Sequence, residues 1–132
     1  MNRVIDPGHH YELLTLDDNK MARVQLLRFV KRCDPCHPEK YPGNTNAYPG
    51  TTMQSVIRCL IDRIDYLQNQ IPHPNNLAVR QMFLNQLWLL EERAAERHGY
   101  DFDYRPEDMN VMPMCPHCGH VVCPELGNAK RP

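Results

Sequence analysis

Apolar and polar residues alternate in the first quarter of the chain, and this period of two predicts a β-hairpin over residues 11–32. The segment 17–20, between the two predicted strands, reads Asp-Asp-Asn-Lys, a composition typical of turns. The alternating apolar positions of the second strand are Ala22, Val24 and Leu26. We therefore expect these side chains to face a core and their polar neighbours to face solvent.

The second half of this segment also fits a helix, which is the competing interpretation. Asp17 or Asp18 would cap that helix. Its apolar face would consist of Met21, Val24, Leu27 and Val30. In a strand, the adjacent pair Leu26–Leu27 breaks the alternation and predicts a bulge or a change of face. We favour the hairpin.

Prolines and glycines interrupt residues 33–50, which predicts a loop without regular structure. Two similar pieces, Tyr41-Pro42-Gly43-Asn44 and Tyr48-Pro49-Gly50-Thr51, lie seven residues apart within it. Because Pro-Gly suits the two central positions of a type II turn, we expect two such turns in tandem.

Apolar residues then recur at helical spacing through residues 51–98, which predicts two long helices. Thr51 and Gln54 have the spacing of a capping box at the start of the first helix. Pro72 ends it, Asn75 or Asn76 caps the second, and Gly99 ends the second. The short link makes the two helices antiparallel neighbours.

The second helix is apolar around most of its circumference, which indicates burial on more than one side. We predict that the apolar girdle of this helix forms a protein interface, either with a second copy in a homodimer or with another protein. The girdle residues are Phe83, Leu87, Trp88 and Leu90.

The predicted fold class is α+β in one domain of 132 residues. It consists of a hairpin (11–32), a turn-rich loop (33–50), a long antiparallel helical hairpin (51–98) and a cysteine-rich tail (99–132). The 15 Lys and Arg residues nearly balance 16 Asp and Glu residues, which argues against a general phosphate binder. No apolar run is long enough for a membrane span, and no secretory leader precedes residue 11, so we expect a cytoplasmic protein.

Six cysteines are unusual for a reducing compartment, where clustered cysteines indicate a metal site rather than disulfides. The sequence Cys115-Pro116-His117-Cys118-Gly119 has the form of a zinc knuckle, in which two thiolates separated by two residues point at one metal. Gly119 permits the positive φ of such a tight loop. Cys59 lies inside the first helix, and we expect it to be a small buried apolar residue.

A structural zinc site needs four ligands, so Cys115 and Cys118 require two more. In a local arrangement Cys123 supplies the third ligand, and His120 is a candidate for the fourth. In a long-range arrangement Cys33 and Cys36 complete a zinc ribbon. The spacing leaves both arrangements open.

Established catalytic motifs are absent, so we expect a binding protein rather than an enzyme, with the zinc in a structural role. One alternative is a nucleic-acid-binding regulator that uses the knuckle and the basic side chains of the hairpin. Those side chains are Arg23, Arg28, Lys31 and Arg32. A second alternative is a metal-dependent nuclease, which would need an additional open metal position.

The segment from Tyr41 to Leu67 carries a family resemblance. Its sequence Tyr-Pro-Gly-Asn, then Tyr-Pro-Gly-Thr-Thr, then Leu-Ile-Asp-Arg-Ile-Asp-Tyr-Leu resembles small uncharacterised proteins of bacteriophage and prophage genomes. The resemblance implies a viral accessory protein in the cytoplasm of a bacterial host. Its partner would be a host or phage protein, and the resemblance implies no catalytic residue.

Overall fold

A computed structural model describes residues 2–17 and 24–127 of the chain, which divides into two units, Met1–Met53 and Gln54–Pro132. The first unit contains a three-stranded antiparallel sheet, and the second contains two helices followed by the cysteine-rich tail. This arrangement confirms the α+β class. Neither helix within the described ranges has both the length and the apolar character that crossing a membrane requires.

The sheet has the order β1-β2-β3, with β1 at Arg3–Asp6, β2 at His10–Leu13 and β3 at Gln25–Arg28. β2 and β3 form the predicted antiparallel hairpin, so the strand is the correct interpretation of the described part of the second segment. The sequence analysis missed β1, which pairs with β2. Most of the predicted turn, together with Ala22 and Arg23, lies outside the described residues.

The hairpin faces differ from the prediction. Val24 and Leu26 are exposed, whereas Leu27 is half-buried and pairs with Tyr11. The register of β2 against β3 is regular throughout, so no bulge occurs at Leu26–Leu27. The irregularity lies instead in β1, between Val4 and Asp6.

Only the first of the two Pro-Gly segments forms the predicted turn. Gly43 has φ of 82°, and the Asn44 amide donates to the Tyr41 carbonyl over 3.1 Å, as in a type II turn. The second segment runs beside the chain that follows β3, because the Thr51 amide donates to the Arg28 carbonyl over 2.8 Å. A Cβ atom at Gly50 would lie 2.6 Å from that same carbonyl oxygen, so this close approach of two backbones requires glycine.

Helix α1 spans Met53–Gln70 and α2 spans Pro74–His98, which confirms the two predicted helices. α1 begins two residues after Thr51, so Thr51 does not occupy the N-cap position that the predicted capping box requires. The prediction for the α2 cap was wrong as well: His73 is the N-cap, and its Nδ1 accepts from the Asn75 amide over 3.0 Å. Gly99 ends α2 as predicted, with φ of 72°.

The core of the second unit includes the girdle of α2, and the chain's own tail covers it. Leu87 is completely buried, so the interface prediction is wrong for Leu87. The Trp88 indole donates to the Tyr104 carbonyl over 2.6 Å, and its ring lies 5.3 Å from that of Phe102. Phe83 and Leu90 also pack against this core while remaining partly exposed. An interface role for these three half-buried residues stays a prediction.

Candidate metal centre

The knuckle around Cys115 is a closed loop held by its own backbone. The Gly119 amide donates to the Cys115 carbonyl over 2.8 Å, and the Cys115 amide donates to the His120 carbonyl over 3.0 Å. Gly119 has φ of 78°, the left-handed conformation expected for the residue after the second knuckle cysteine. This loop brings the two thiols to the same side.

Cys123 joins them. The Sγ atoms of Cys115, Cys118 and Cys123 all lie within 4.8 Å of one another, close enough to hold a metal ion. Thiolates bound tetrahedrally to a metal at about 2.3 Å are separated by about 3.8 Å. The three sulfur atoms would therefore need to move by only about 1 Å to coordinate one metal.

The surroundings shift the pKa values of the Cys115 and Cys118 thiols in opposite directions. Backbone amides of Cys118 and His117 point at the Cys115 sulfur and lower the pKa of that thiol, with the His117 amide at 3.4 Å. Burial raises the pKa of the Cys118 thiol to about 11. A bound cation would stabilise the Cys118 thiolate against that cost of burial, because metal ligation requires the deprotonated form.

The fourth ligand does not come from His120 in this arrangement. Its Nδ1 lies 3.2 Å from the Gln54 amide nitrogen and 3.8 Å from Oε2 of Glu91. The Glu125 carboxylate lies beside one thiol, with Oε2 3.6 Å from the Cys115 sulfur and 4.0 Å from Nε2 of the exposed His117. Within the described ranges, the close group of metal-binding side chains contains only the three cysteines.

Cys33 and Cys36 belong to the first unit and form a turn of their own. The Cys33 thiol donates to the Asn44 carbonyl over 3.2 Å, and the Cys36 amide donates to the Asp34 carboxylate over 3.1 Å. A site that combines them with Cys115 and Cys118 would join the two units, and it stays a prediction. Cys59 is exposed, so the expectation that it is buried was wrong.

A buried carboxylate lies next to the candidate metal centre. Glu91 is completely buried, and its Oε2 accepts from the Val121 amide over 3.1 Å. Sequence reasoning did not identify Glu91, because a glutamate near the end of a helix is usually exposed to solvent. Its spacing from the buried Leu84, Leu87 and Ala94 was the available signal, since it continues their face of the helix.

The predicted nucleic-acid contacts are only partly available. The Lys31 ammonium lies 2.9 Å from Oδ2 of Asp6 and is largely buried, while the Arg28 guanidinium lies 5.4 Å from the centre of the Tyr48 ring. Tyr48 donates to the same carboxylate. Arg32 is exposed, and Arg23 lies outside the described residues. The charge of Lys31 is thus partly neutralised within its own unit.

Comparison of the chain with protein families, with curated proteins and with solved structures finds no match.

Proposed function

We propose that this chain is a non-enzymatic protein-binding module whose C-terminal tail is held by a structural zinc ion. The observation that carries the proposal is the convergence of three thiols, Cys115, Cys118 and Cys123, within 4.8 Å. Soft thiolate ligands favour zinc among the common divalent ions, and zinc bound by cysteines is typically structural. The ion would supply cross-linking of the loop and no reaction step.

The position of the site explains what the metal would stabilise. The cysteines surround Val121 and Val122, which are buried in the same core as α1 and α2. Apart from two short 3₁₀ turns, the described tail has no regular helix, so few repeating hydrogen bonds order it. A metal cross-link would hold the tail against the helices in place of such bonds.

The partner surface that we propose is an apolar stripe, called here the α1 stripe. It consists of Val56, Leu60 and Leu67 on α1 and of Ile71, which directly follows the helix and whose amide donates to the Leu67 carbonyl over 2.9 Å. At 3.6 residues per turn, these side chains fall within a sector of about 60° on the helix. Leu60 is 41% exposed and Ile71 is 75% exposed, whereas Val56 and Leu67 are half-buried. Because Leu87 is completely buried, we propose the α1 stripe as the interface in its place. We propose that a second copy of the chain covers it.

The phage resemblance of residues 41–67 includes most of α1 and is compatible with an accessory role in a bacterial host. Light scattering on the full chain at several concentrations tests self-association. A dimer that Leu60→Asp converts into a monomer supports the proposed surface. Asn69→Asp adds one negative charge at an exposed position about 180° around the helix from Leu60 and is the control. A monomeric wild type contradicts the homodimer.

Metal analysis of purified protein tests the zinc proposal directly. We expect one zinc per chain in the wild type, loss of it in Cys123→Ser, and full retention in the control Cys59→Ser. Loss in Cys33→Ser with retention in Cys123→Ser would select the long-range arrangement instead. A wild type without bound metal, purified under reducing conditions and offered zinc, would contradict the proposal.

A further inference from the structure

A carboxylate in a protein core is costly unless it is paired or hydrogen-bonded, so a completely buried Glu91 needs a reason. α2 has exposed positions for acidic residues, and Glu96 occupies one of them. Glu91 instead shares its surroundings with apolar residues such as Leu87 and Ala95. The contacts of the Glu91 carboxylate give a reason for its burial.

The carboxylate of Glu91 binds the segment between the second and third cysteines of the candidate site. Oε2 accepts from the Val121 amide over 3.1 Å and lies 3.8 Å from Nδ1 of His120. The His120 carbonyl in turn accepts from the Cys115 amide. One carboxylate on α2 thus lies beside two of the four residues, His120 and Val121, that separate Cys118 from Cys123.

α1 contributes to the same network from the other side. The Gln54 amide nitrogen lies 3.2 Å from Nδ1 of His120, and the Arg58 guanidinium donates to the Met109 carbonyl over 2.9 Å. Burial lowers the pKa of Arg58, and the negative charge of Glu91 opposes that change. Within the described ranges, Oε1 of Glu91 and Nε of Arg58 are buried without hydrogen-bond partners. Oε2 is therefore the Glu91 oxygen whose hydrogen bond holds the ligand loop.

We propose that Glu91 is a positioning residue of the metal centre, which fixes the segment 119–122 so that Cys123 meets the two knuckle thiols. The inference rests on the proposed metal site. Groups that orient metal ligands from outside the coordination sphere commonly change metal affinity by about 10- to 100-fold when they are removed. Glu91 acts here through the backbone of the ligand loop rather than through a ligand side chain.

The test compares zinc affinity, measured by competition with a chromogenic chelator, in the wild-type full chain and in Glu91→Gln. We expect about a tenfold or greater loss of affinity with one metal still bound, and a shifted cobalt absorption spectrum that reports altered ligand geometry. The adjacent Glu92→Gln is the matched control. Ile61→Val weakens the same core away from the ligand loop and should leave the cobalt spectrum unchanged.

Two failures are distinguishable. A wild type that binds no zinc or cobalt contradicts the proposed metal site itself. Unchanged affinity and an unchanged cobalt spectrum in Glu91→Gln overturn the role of Glu91 and leave the metal site standing. If Glu91→Gln loses its helical circular dichroism, the same titration on Glu91→Asp decides, since it keeps the carboxylate but shortens the side chain that reaches the Val121 amide. Wild-type affinity there overturns the inference, and a tenfold loss supports it.

Discussion

Replacement of Leu87 by alanine separates a core role from an interface role for the girdle of α2. Leu87 is completely buried, whereas Leu89, two residues further along the same helix, is 57% exposed. The pair Leu87→Ala and Leu89→Ala therefore changes the same atoms and the same helix propensity at two levels of burial. We expect the first variant to be far less stable than the second.

The magnitude follows from the burial. Leu→Ala removes three carbon groups, each worth about 0.8 kcal/mol when transferred from water into the core, or about 2.4 kcal/mol. The cavity that remains adds a further cost, so Leu87→Ala should lower the free energy of unfolding by about 3–5 kcal/mol. Leu89→Ala should lower it by about 0.5 kcal/mol or less, because surface substitutions have small effects.

Urea unfolding followed by helical circular dichroism measures both values, and light scattering on the same samples measures the oligomeric state. With a urea dependence of about 1–3 kcal/mol/M, the expected loss of stability lowers the urea midpoint of Leu87→Ala by about 1–5 M. Equal midpoints for the two variants would refute the assignment of Leu87 to the core. A Leu87→Ala variant that keeps its stability but loses self-association would restore the original interface prediction.

Three further predictions concern other parts of the chain. Chelation of the metal under reducing conditions should shift the fluorescence of Trp88, the single tryptophan, towards that of an exposed indole, while zinc-resupplied protein should recover the original spectrum. Gly43→Ala should lower the stability of the first unit by roughly 1 kcal/mol in thermal unfolding, because alanine is unfavourable at the positive φ of Gly43. Gly50→Ala should lower it by several times as much, because the added Cβ would clash with the backbone. Burial and the bond to Asp6 raise the pKa of Tyr48 from 10.0 to about 12, so its contribution to stability should be complete below pH 10 and lost as the pH rises to 12. Alkaline unfolding of Tyr48→Phe should lack that loss, and an identical pH profile in both proteins would contradict it.

The two helices could be predicted because their apolar periodicity extends over many turns and therefore outweighs local exceptions. Their ends were harder, and the cause differs at each end. Gly99 follows the common rule that glycine ends a helix in the left-handed conformation. At the other end His73 uses an imidazole nitrogen in place of the usual cap oxygen, so the asparagines that follow were favoured instead.

The sheet shows a different limit. A short strand such as β1 has only four residues, too few for its alternation to stand out from the surrounding sequence. The buried face of β3 could not be assigned either, because Leu26 and Leu27 are equally apolar and only the pairing with Tyr11 distinguishes them. If the predicted alternation is shifted by one residue, the buried and exposed faces of the strand are exchanged.

The metal centre has one part that could be predicted from sequence and one part that could not. Cys115 and Cys118 could be predicted because a knuckle is local, and the structure adds Cys123, five residues beyond Cys118, to the same group. Cys36 and Cys115 are separated by 78 residues, and the spacing in the sequence does not show whether they lie close together in the fold. The arrangement with Cys33 and Cys36 could therefore be neither selected nor dismissed from sequence. Glu91 was missed for the same reason, since its partners Val121 and His120 lie about 30 residues away.

These contacts connect the two halves of the proposal, because the tail that carries the cysteines also covers part of the α2 girdle. The helices have their own repeating hydrogen bonds, whereas the tail is joined to them by single contacts such as the bond from Trp88 to Tyr104 and the bond from Val121 to Glu91. Loss of a metal should therefore loosen the tail before the helices unfold. It would expose Trp88 while helical circular dichroism is retained, so the part of the apolar girdle that the tail covers would become accessible in the metal-free protein. On this reasoning, a partner that needs the covered part of the girdle would bind the metal-free protein, whereas the α1 stripe is available to a partner in both states.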